Sequence, residues 1–438
     1  MTKKILFVAS EGLPYIKSGG LADVVGALPQ QIIAEGFDVR VVMPLYQKVA
    51  QNNRSSFTQA DTFHLKAAKF DVDVSVYFDP NNPVPTYFIE HQGYFERDGL
   101  YGYADDGERF AFFCHAVLSM LDTLDWYPDL FHNHDWHAGL IPVLAKEYYR
   151  KNSLVFRAKQ VVTIHNLAFQ GVFPVDMLES CIGLPRKFYE NGTLRFYPGM
   201  ISFLKGGVLY ADKITTVSKT YAKEILTPEY GENMNEVLGL RYFDLSGIEN
   251  GIDVDLWNPM TDVSIAEHYD HRSLPKKAKN KRALQERLGL RPAKDVMLIG
   301  MVSRLTDQKG FNLVAEKIHE IMDQDVQVII LGTGQQEYED FFAGCEAQYK
   351  HRMVYYRGYN EELSHQIYAG CDAFLMPSLF EPCGISQLIS MHYGTLPIVR
   401  ETGGLKDTVA PYNQFTGEGE GFSFANFDGN DMMNCMKY

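Results

Sequence analysis

No apolar run in this chain approaches the roughly 20 residues needed to cross a bilayer, which excludes a membrane-spanning helix. Cysteine is sparse. Cys114, Cys181, Cys345, Cys371, Cys383 and Cys435 form no CxxC pair, so neither a disulfide framework nor a zinc site is expected, and a reducing, cytoplasmic setting is. Basic charge is in deficit: 41 Lys+Arg stand against 55 Asp+Glu, a net charge of −14, which argues against nucleic acid or any partner held by a broadly basic surface. Met1-Thr2-Lys3-Lys4 opens like a secretory leader, but the apolar run from Ile5 to Ala9 is too short for a leader core. Short-period repeats and low-complexity tracts are absent, and Gly417-Glu418-Gly419-Glu420-Gly421 reads as a mobile loop. What remains is a chain of 438 residues, 46% apolar, long enough for two or three domains with cores of their own.

Short β-branched runs recur between helical stretches: Ile5 to Val8, Val39 to Val42, Val161 to Ile164, Val296 to Ile299, Val326 to Ile330 and Ala373 to Met376. Continuous apolar runs of this kind are parallel strands covered on both faces, so the class is α/β. Leu21, Val24, Val25, Leu28, Ile32 and Ile33 recur near helical spacing and Gly36 ends the helix, giving strand, glycine loop, helix, strand as the first unit. Phe70, Val72, Val74, Val76 and Phe78 alternate with polar neighbours, the pattern of an antiparallel excursion with one wet face. The parallel pattern breaks after Asn250-Gly251-Ile252-Asp253 and Trp257-Asn258-Pro259, passes a charged helix from Lys276 to Leu288 and restarts at Val296. Two doubly wound domains, 1–255 and 256–438, are therefore expected, with ligand between them.

Lys17-Ser18-Gly19-Gly20-Leu21-Ala22-Asp23 lies between the first strand and the first helix. Glycines there let a ligand approach the backbone and free helix-start amides favour phosphate, with Lys17 adding a charge; the alternative is a tight turn and nothing more. The run is not a Walker loop, because no Gly-Lys-Ser/Thr closes it. Arg304 and Lys309-Gly310 follow the strand at 296–302, where two cations would neutralise a diphosphate and stabilise it as a leaving group; the alternative is a solvated loop. His132-Asn133-His134-Asp135-Trp136-His137 invites a metal reading, but lacks partners at metal-ligand spacing. Asp135 and one or two of the histidines are instead expected at a strand end, with His165 closing the strand at 161–164 in the same kind of place. Glu381-Pro382-Cys383-Gly384 and then Thr402-Gly403-Gly404 supply an acceptor for sugar hydroxyls and two sets of amide donors, the makings of a nucleotide-sugar site. Cys383 has no histidine nearby in sequence to activate it and reads as a buried thiol.

These residues resemble a known family, the bacterial glycogen synthases and plant starch synthases, family 5 of the retaining glycosyltransferases. The resemblance spans nearly the whole chain, through Lys17-Ser18-Gly19-Gly20-Leu21-Ala22-Asp23-Val24, His134-Asp135-Trp136-His137, Thr163-Ile164-His165-Asn166, Phe203-Leu204-Lys205-Gly206-Gly207, Thr215-Thr216-Val217-Ser218, Thr227-Pro228-Glu229-Tyr230-Gly231, Asn250-Gly251-Ile252-Asp253 and Glu381-Pro382-Cys383-Gly384. It implies the GT-B fold, two Rossmann-like domains facing each other across a cleft. It also implies transfer of glucose from ADP-glucose to the non-reducing end of an α-1,4-glucan such as glycogen, with retained configuration and no cofactor or metal.

Carried across residue by residue, the resemblance makes Glu381, His165, Lys309, Arg304 and Asp135 the catalytic set. Lys17, Gly19, Gly20, Asp23, Asn250, Tyr359, Cys383, Gly384, Thr402, Gly403 and Gly404 would bind the donor, Tyr359 by packing on adenine, and Tyr94 and Arg97 would serve the acceptor. Ile389 stands eight positions after Glu381, so the paired-Glu motif of some related transferases is missing, as it is throughout this family. Glu232-Asn233-Met234-Asn235 replaces a glycine-containing loop, Ser386 replaces a usual Thr, and the chain stops at Tyr438 where family members continue with further helices. That last departure leaves a second reading, a donor- or glucan-binding protein with little transferase activity. Oligomeric state is not readable.

Overall fold

The computed structural model describes residues 2–438. The chain divides into two compact units, Met1–Val217 with Ala222–Ile248, and Ser218–Tyr221 with Glu249–Tyr438. The division thus falls just ahead of the boundary expected at 255, and a four-residue excursion, Ser218–Tyr221, joins the second unit early.

The first unit is built on β1 (Lys4–Val8), β2 (Asp38–Pro44), β3 (Thr58–Ala67), β4 (Phe70–Asp79), β5 (Thr86–Glu90), β6 (Leu130–His134) and β7 (Lys159–Ile164). A small antiparallel hairpin, β8 (Val172–Pro174) with β9 (Met200–Ser202), precedes β10 (Lys213–Thr216) and β11 (Leu245–Gly247). The main sheet has nine strands in the order β11-β10-β7-β6-β1-β2-β5-β4-β3. All neighbours run parallel except β3 with β4 and β4 with β5, so the excursion legible in the sequence is an antiparallel extension of the sheet edge. Its alternation holds from Phe70 to Val76 and then lapses: Tyr77 and Asp79 are buried while Phe78 is half-buried. The Tyr15 hydroxyl, 2.8 Å away, satisfies the buried Asp79 carboxylate, which is why a charged residue is tolerated there.

The helix after β1, Gly20–Ala34, buries Leu21, Ala22, Val25 and Pro29 and leaves Leu28 exposed. The chain turns at Gly36, whose amide donates to the Ile33 carbonyl at 2.9 Å. Helix Asp106–Thr123 is buried almost all round, its Arg109 guanidinium paired with Asp106 at 2.6 Å.

The second unit carries β12 (Met297–Val302), β13 (Val326–Gly332), β14 (Met353–Arg357), β15 (Ala373–Met376), β16 (Leu396–Arg400) and β17 (Phe422–Phe424), all parallel, in the order β14-β13-β12-β15-β16-β17. Its apolar runs are continuous because successive side chains feed opposite layers. Ile299, Met301, Val328 and Ile330 enter one core, with Phe311 and Phe342; Leu298, Ile329 and Leu331 enter the other, with Trp257 and Tyr368. Among the described residues no helix is long and apolar enough to cross a membrane.

Candidate functional site

In an open α/β sheet, ligands gather at the carboxyl ends of strands where the strand order reverses. That reversal lies at β6/β1 in the first unit and at β12/β15 in the second. The residues singled out from the sequence leave those four strand ends and their neighbours.

In the first unit, β6 ends at His134 and Asp135 follows with φ 55°, a turn that aims its buried carboxyl back at β7. Its Oδ1 accepts the His165 amide at 2.7 Å. Burial pushes this carboxyl up to about 7, against the pull of the His165 and Asn166 amides. His165 Nε2 shares a 2.9 Å hydrogen bond with His134 Nδ1, and His132 Nε2 meets Thr163 Oγ1 at 2.7 Å. Burial holds His165 down at about 3 and His132 at about 4, so these rings are neutral hydrogen-bonding groups rather than cations at pH 7. Among the described residues no group of three or more His, Cys, Asp or Glu is arranged to hold a metal.

The loop after β1 carries a residue that sequence reasoning missed. Glu11, 4% exposed, accepts the Ser18 amide, and burial raises its carboxyl to about 7. A carboxylate just beyond the first parallel strand was the one available signal, but its closure onto Ser18 is not visible in one dimension. Lys17 and Asp23, expected to meet the donor separately, are paired with each other at 2.7 Å. No side chain caps helix Gly20–Ala34, whose first turn holds Asp23. Tyr94 donates to Glu108, and Arg97 makes two 2.6 Å bonds to Asp105. Both are thus tied to the start of helix Asp106–Thr123.

In the second unit, Lys309 ends a short 3-10 turn after β12, and Gly310 follows at φ 75°. A Cβ on Gly310 would lie 2.0 Å from the Pro377 carbonyl, so glycine lets this turn press on the loop after β15. The Leu379 amide and the Gln308 carbonyl join the two loops at 2.9 Å. The result is an ion pair between Lys309 Nζ and Glu381 Oε2 at 2.6 Å, with the Ser378 hydroxyl on the same oxygen at 3.1 Å. Glu381 is 6% exposed, whereas Arg304, ahead of Lys309 in the loop after β12, is exposed. Tyr359, after β14, is 67% exposed, a ring presented to solvent.

In the Gly403-Gly404 pair after β16, Gly404 is used differently from the expectation. Cβ atoms there would lie 1.9 Å from the Glu381 carbonyl and 2.2 Å from the Cys383 carbonyl, and the Gly404 amide already donates to Glu381 and Pro382 at 3.1 and 3.2 Å. Gly404 is therefore a brace for the Glu381 loop, and its amide is not a free phosphate donor. Thr402 caps the same helix by position, with its amide on the Arg400 carbonyl. Cys383 is buried, with the Asn250 backbone against its sulfur, and burial lifts its thiol to about 12; Gly384 beside it has φ 75°. Three further supports were not read from the sequence: Arg400 Nη1 on the Leu379 carbonyl at 2.5 Å, Ser218 Oγ on the Pro382 carbonyl at 2.6 Å, and Thr220 on Asp407 at 2.6 Å. The last two explain why Ser218–Tyr221 belongs to this unit.

Comparison with known proteins accords with this layout. Residues 4–239 match the family model of the starch synthase catalytic domain, and 285–430 match glycosyl transferases group 1. A glycogen synthase of Clostridium beijerinckii is 46% identical over 436 residues, covering 99% of this chain and 91% of the relative. One from Bacillus cereus (strain B4264) is 47% identical over 432 residues, covering 99% and 90%. The catalytic domain of starch synthase IV from Arabidopsis thaliana, solved with ADP and acarbose, superposes with a TM-score of 0.93 at 32% identity, covering 100% of this chain and 91% of that one. A sucrose-phosphate synthase of Thermosynechococcus elongatus shares the fold alone, at a TM-score of 0.58 and 17% identity over 99% of this chain and 89% of that one.

Proposed function

The chain belongs to the glycogen synthase and starch synthase family of glycosyltransferases, and on that premise we propose that it transfers glucose from ADP-glucose to the non-reducing end of an α-1,4-glucan, retaining the anomeric configuration. Its fold is GT-B, each unit Rossmann-like. Its relatives over nearly the full length are synthases, so the alternative of a binding protein without transferase activity is not kept.

The observation that carries the proposal is the Lys309–Glu381 pair at the β12/β15 reversal, with Arg304 on the same loop as Lys309. As the bond from glucose C1 to the donor phosphate breaks, negative charge builds on the departing ADP, and two cations placed there stabilise it. Lys309 is already held by Glu381, so it needs little reorganisation to serve. Glu381 accepts from glucose hydroxyls, and neutral His165 hydrogen-bonds the sugar near the reacting carbon. The acceptor hydroxyl forms the new C1–O bond on the face the phosphate leaves, and its proton passes to the departing phosphate oxygen. A second carboxylate across the bond, the device of hydrolases, is not required. Ile389, where related transferases place one, is buried in the core.

Further donor contacts are assigned to Lys17, Gly19, Gly20, Asp23, Asn250, Tyr359, Cys383, Gly384, Thr402 and Gly403. Tyr94 and Arg97 are kept as acceptor contacts. The ADP and acarbose held by the Arabidopsis starch synthase support an adenine-bearing donor and a glucan acceptor. The reaction as proposed takes place in the cytoplasm and needs no cofactor, ADP-glucose being a substrate.

The test is incorporation of label into precipitated glycogen from ADP-glucose and, in parallel, UDP-glucose, followed by digestion with a glucosidase specific for α-1,4 bonds. Label from ADP-glucose, released by that enzyme, is the expected result. Label from UDP-glucose alone, or label resistant to the digestion, would overturn the donor or the stereochemistry.

A further inference from the structure

Glu11 matches none of the motifs above, yet it is buried in the loop that follows β1. It stands directly before a closed turn in which Gly12 and Ile16 exchange two hydrogen bonds of 3.1 Å, and the Leu13 amide reaches Ala22 in the first helix at 3.1 Å. One carboxyl oxygen accepts the Ser18 amide, and the other would be 4.0 Å from a Cβ on Gly19. The residue before Ser18, Lys17, is tied to Asp23 in the first helix. The start of the segment Lys17–Gly20 is thus held twice, Lys17 by an ion pair and Ser18 by a buried carboxyl.

We infer that Glu11 is a positioning residue of the transfer site, fixing the Lys17–Gly20 loop through the Ser18 amide. The inference rests on the reading of that loop as donor-binding. Several ionisable groups face Glu11. Lys17 and Asp23 come from its own loop, Asp135 from the end of β6, Tyr46 from the segment after β2, and Tyr101 from the segment before helix Asp106–Thr123. None of them except Lys17 is a cation, and burial leaves the carboxyl titrating near 7. Ionised, it makes a charge-assisted bond to the amide; protonated, it makes a weaker one, so donor binding should loosen on the acid side of neutrality.

Glu11→Ala and Glu11→Gln test this together, since the amide variant keeps an acceptor oxygen and removes the titration. In ligand-free protein at pH 8, hydrogen exchange of the peptide bearing Ser18 should rise about tenfold in Glu11→Ala and much less in Glu11→Gln. Steady-state assays should show KM for ADP-glucose raised about tenfold in Glu11→Ala, with kcat changed by less than about threefold. Wild type should show KM rising below pH 7, and Glu11→Gln should lack that rise. Unchanged exchange and KM in Glu11→Ala, or the same acid-side rise in Glu11→Gln, would overturn the inference. If Glu11→Ala does not fold, as seen by thermal melting, the Glu11→Gln pH profile decides alone. If wild type fails to use ADP-glucose at all, the functional reading falls, while the exchange experiment still decides the role of Glu11.

Discussion

The buried carboxylates that follow the strand ends of the two units, Glu381 in one and Asp135 and Glu11 in the other, are held by different chemistry. In the second unit Glu381 has an ammonium at 2.6 Å, and its backbone is braced by Gly404. In the first unit, among the described residues, no cation pairs with either strand-end carboxyl: Asp135 accepts the His165 and Asn166 amides, Glu11 accepts the Ser18 amide and side chain, and both titrate near 7. In Asp135 and Glu11 burial outweighs the hydrogen bonds that each carboxyl accepts and brings it near the point of losing its charge at neutral pH. The first arrangement suits a fixed electrostatic frame for a departing diphosphate. The second suits groups that hold loops and pass through a change of charge close to neutral pH.

The harshest way to break the comparison is to remove the counter-ion. Lys309→Ala leaves Glu381 buried and unpaired, with an expected stability loss of about 3 kcal/mol and a fall in kcat of about 1000-fold or more. Lys309→Met with Glu381→Leu should recover the stability and none of the activity. Denaturant melts and label incorporation measure both, and a stable, active Lys309→Ala would break the contrast. Asp135→Asn keeps an oxygen for the His165 amide but removes the charge. Its kcat should fall about 100-fold with the fold intact, and the dependence of kcat on pH near 7 should flatten.

The glycines that flank the two carboxylates sharpen the contrast further. Gly404→Ala drives a Cβ to 2.2 Å from the Cys383 carbonyl and displaces the Glu381 loop, at an expected cost of about 2 kcal/mol. Gly19→Ala meets nothing closer than Glu11 Oε1 at 4.0 Å and adopts extended backbone, so its cost should stay below about 0.5 kcal/mol. Thermal melts of the two variants give the comparison directly.

A further effect is a linkage. Folded Asp135 keeps its proton up to about 7, while in the unfolded chain it titrates near its ordinary 3.8, so the folded state binds more protons in that window. Glu11, raised from 4.5 to about 7, acts in the same direction. Stability should therefore fall as pH climbs through this range. Asp135→Asn should recover at least about 1 kcal/mol relative to wild type between pH 5 and pH 8. Identical pH dependence in the two proteins would contradict the burial argument.

The parts of this account legible in the sequence are those written in local patterns. The parallel strands announce themselves as apolar runs because both sheet faces are covered, and the strand, glycine loop, helix order places Lys17 to Asp23 at a strand end. The excursion of β3 and β4 shows in the alternation from Phe70 to Val76. Residues at strand ends, such as Asp135, His165 and Lys309, follow from the same reasoning. What the sequence withheld depends on closure in space. The Lys309–Glu381 pair joins residues far apart in the chain, as does the packing of Gly404 on Cys383. The Gly404 amide looked like a phosphate donor because a glycine before a helix reads the same whether ligand or backbone fills the space. Glu11 stayed hidden because its meaning lies in burial, and Ser218 because its partner is the carbonyl of Pro382 in a distant loop.

The central claim is that the Lys309–Glu381 pair frames the sugar and the departing ADP, and Glu381→Gln tests it most directly. Label transferred from ADP-glucose to glycogen should be measured beside ADP binding and a thermal melt. The account requires a folded protein that still binds ADP and has lost transfer by about 1000-fold. Near-normal transfer by that variant would contradict it.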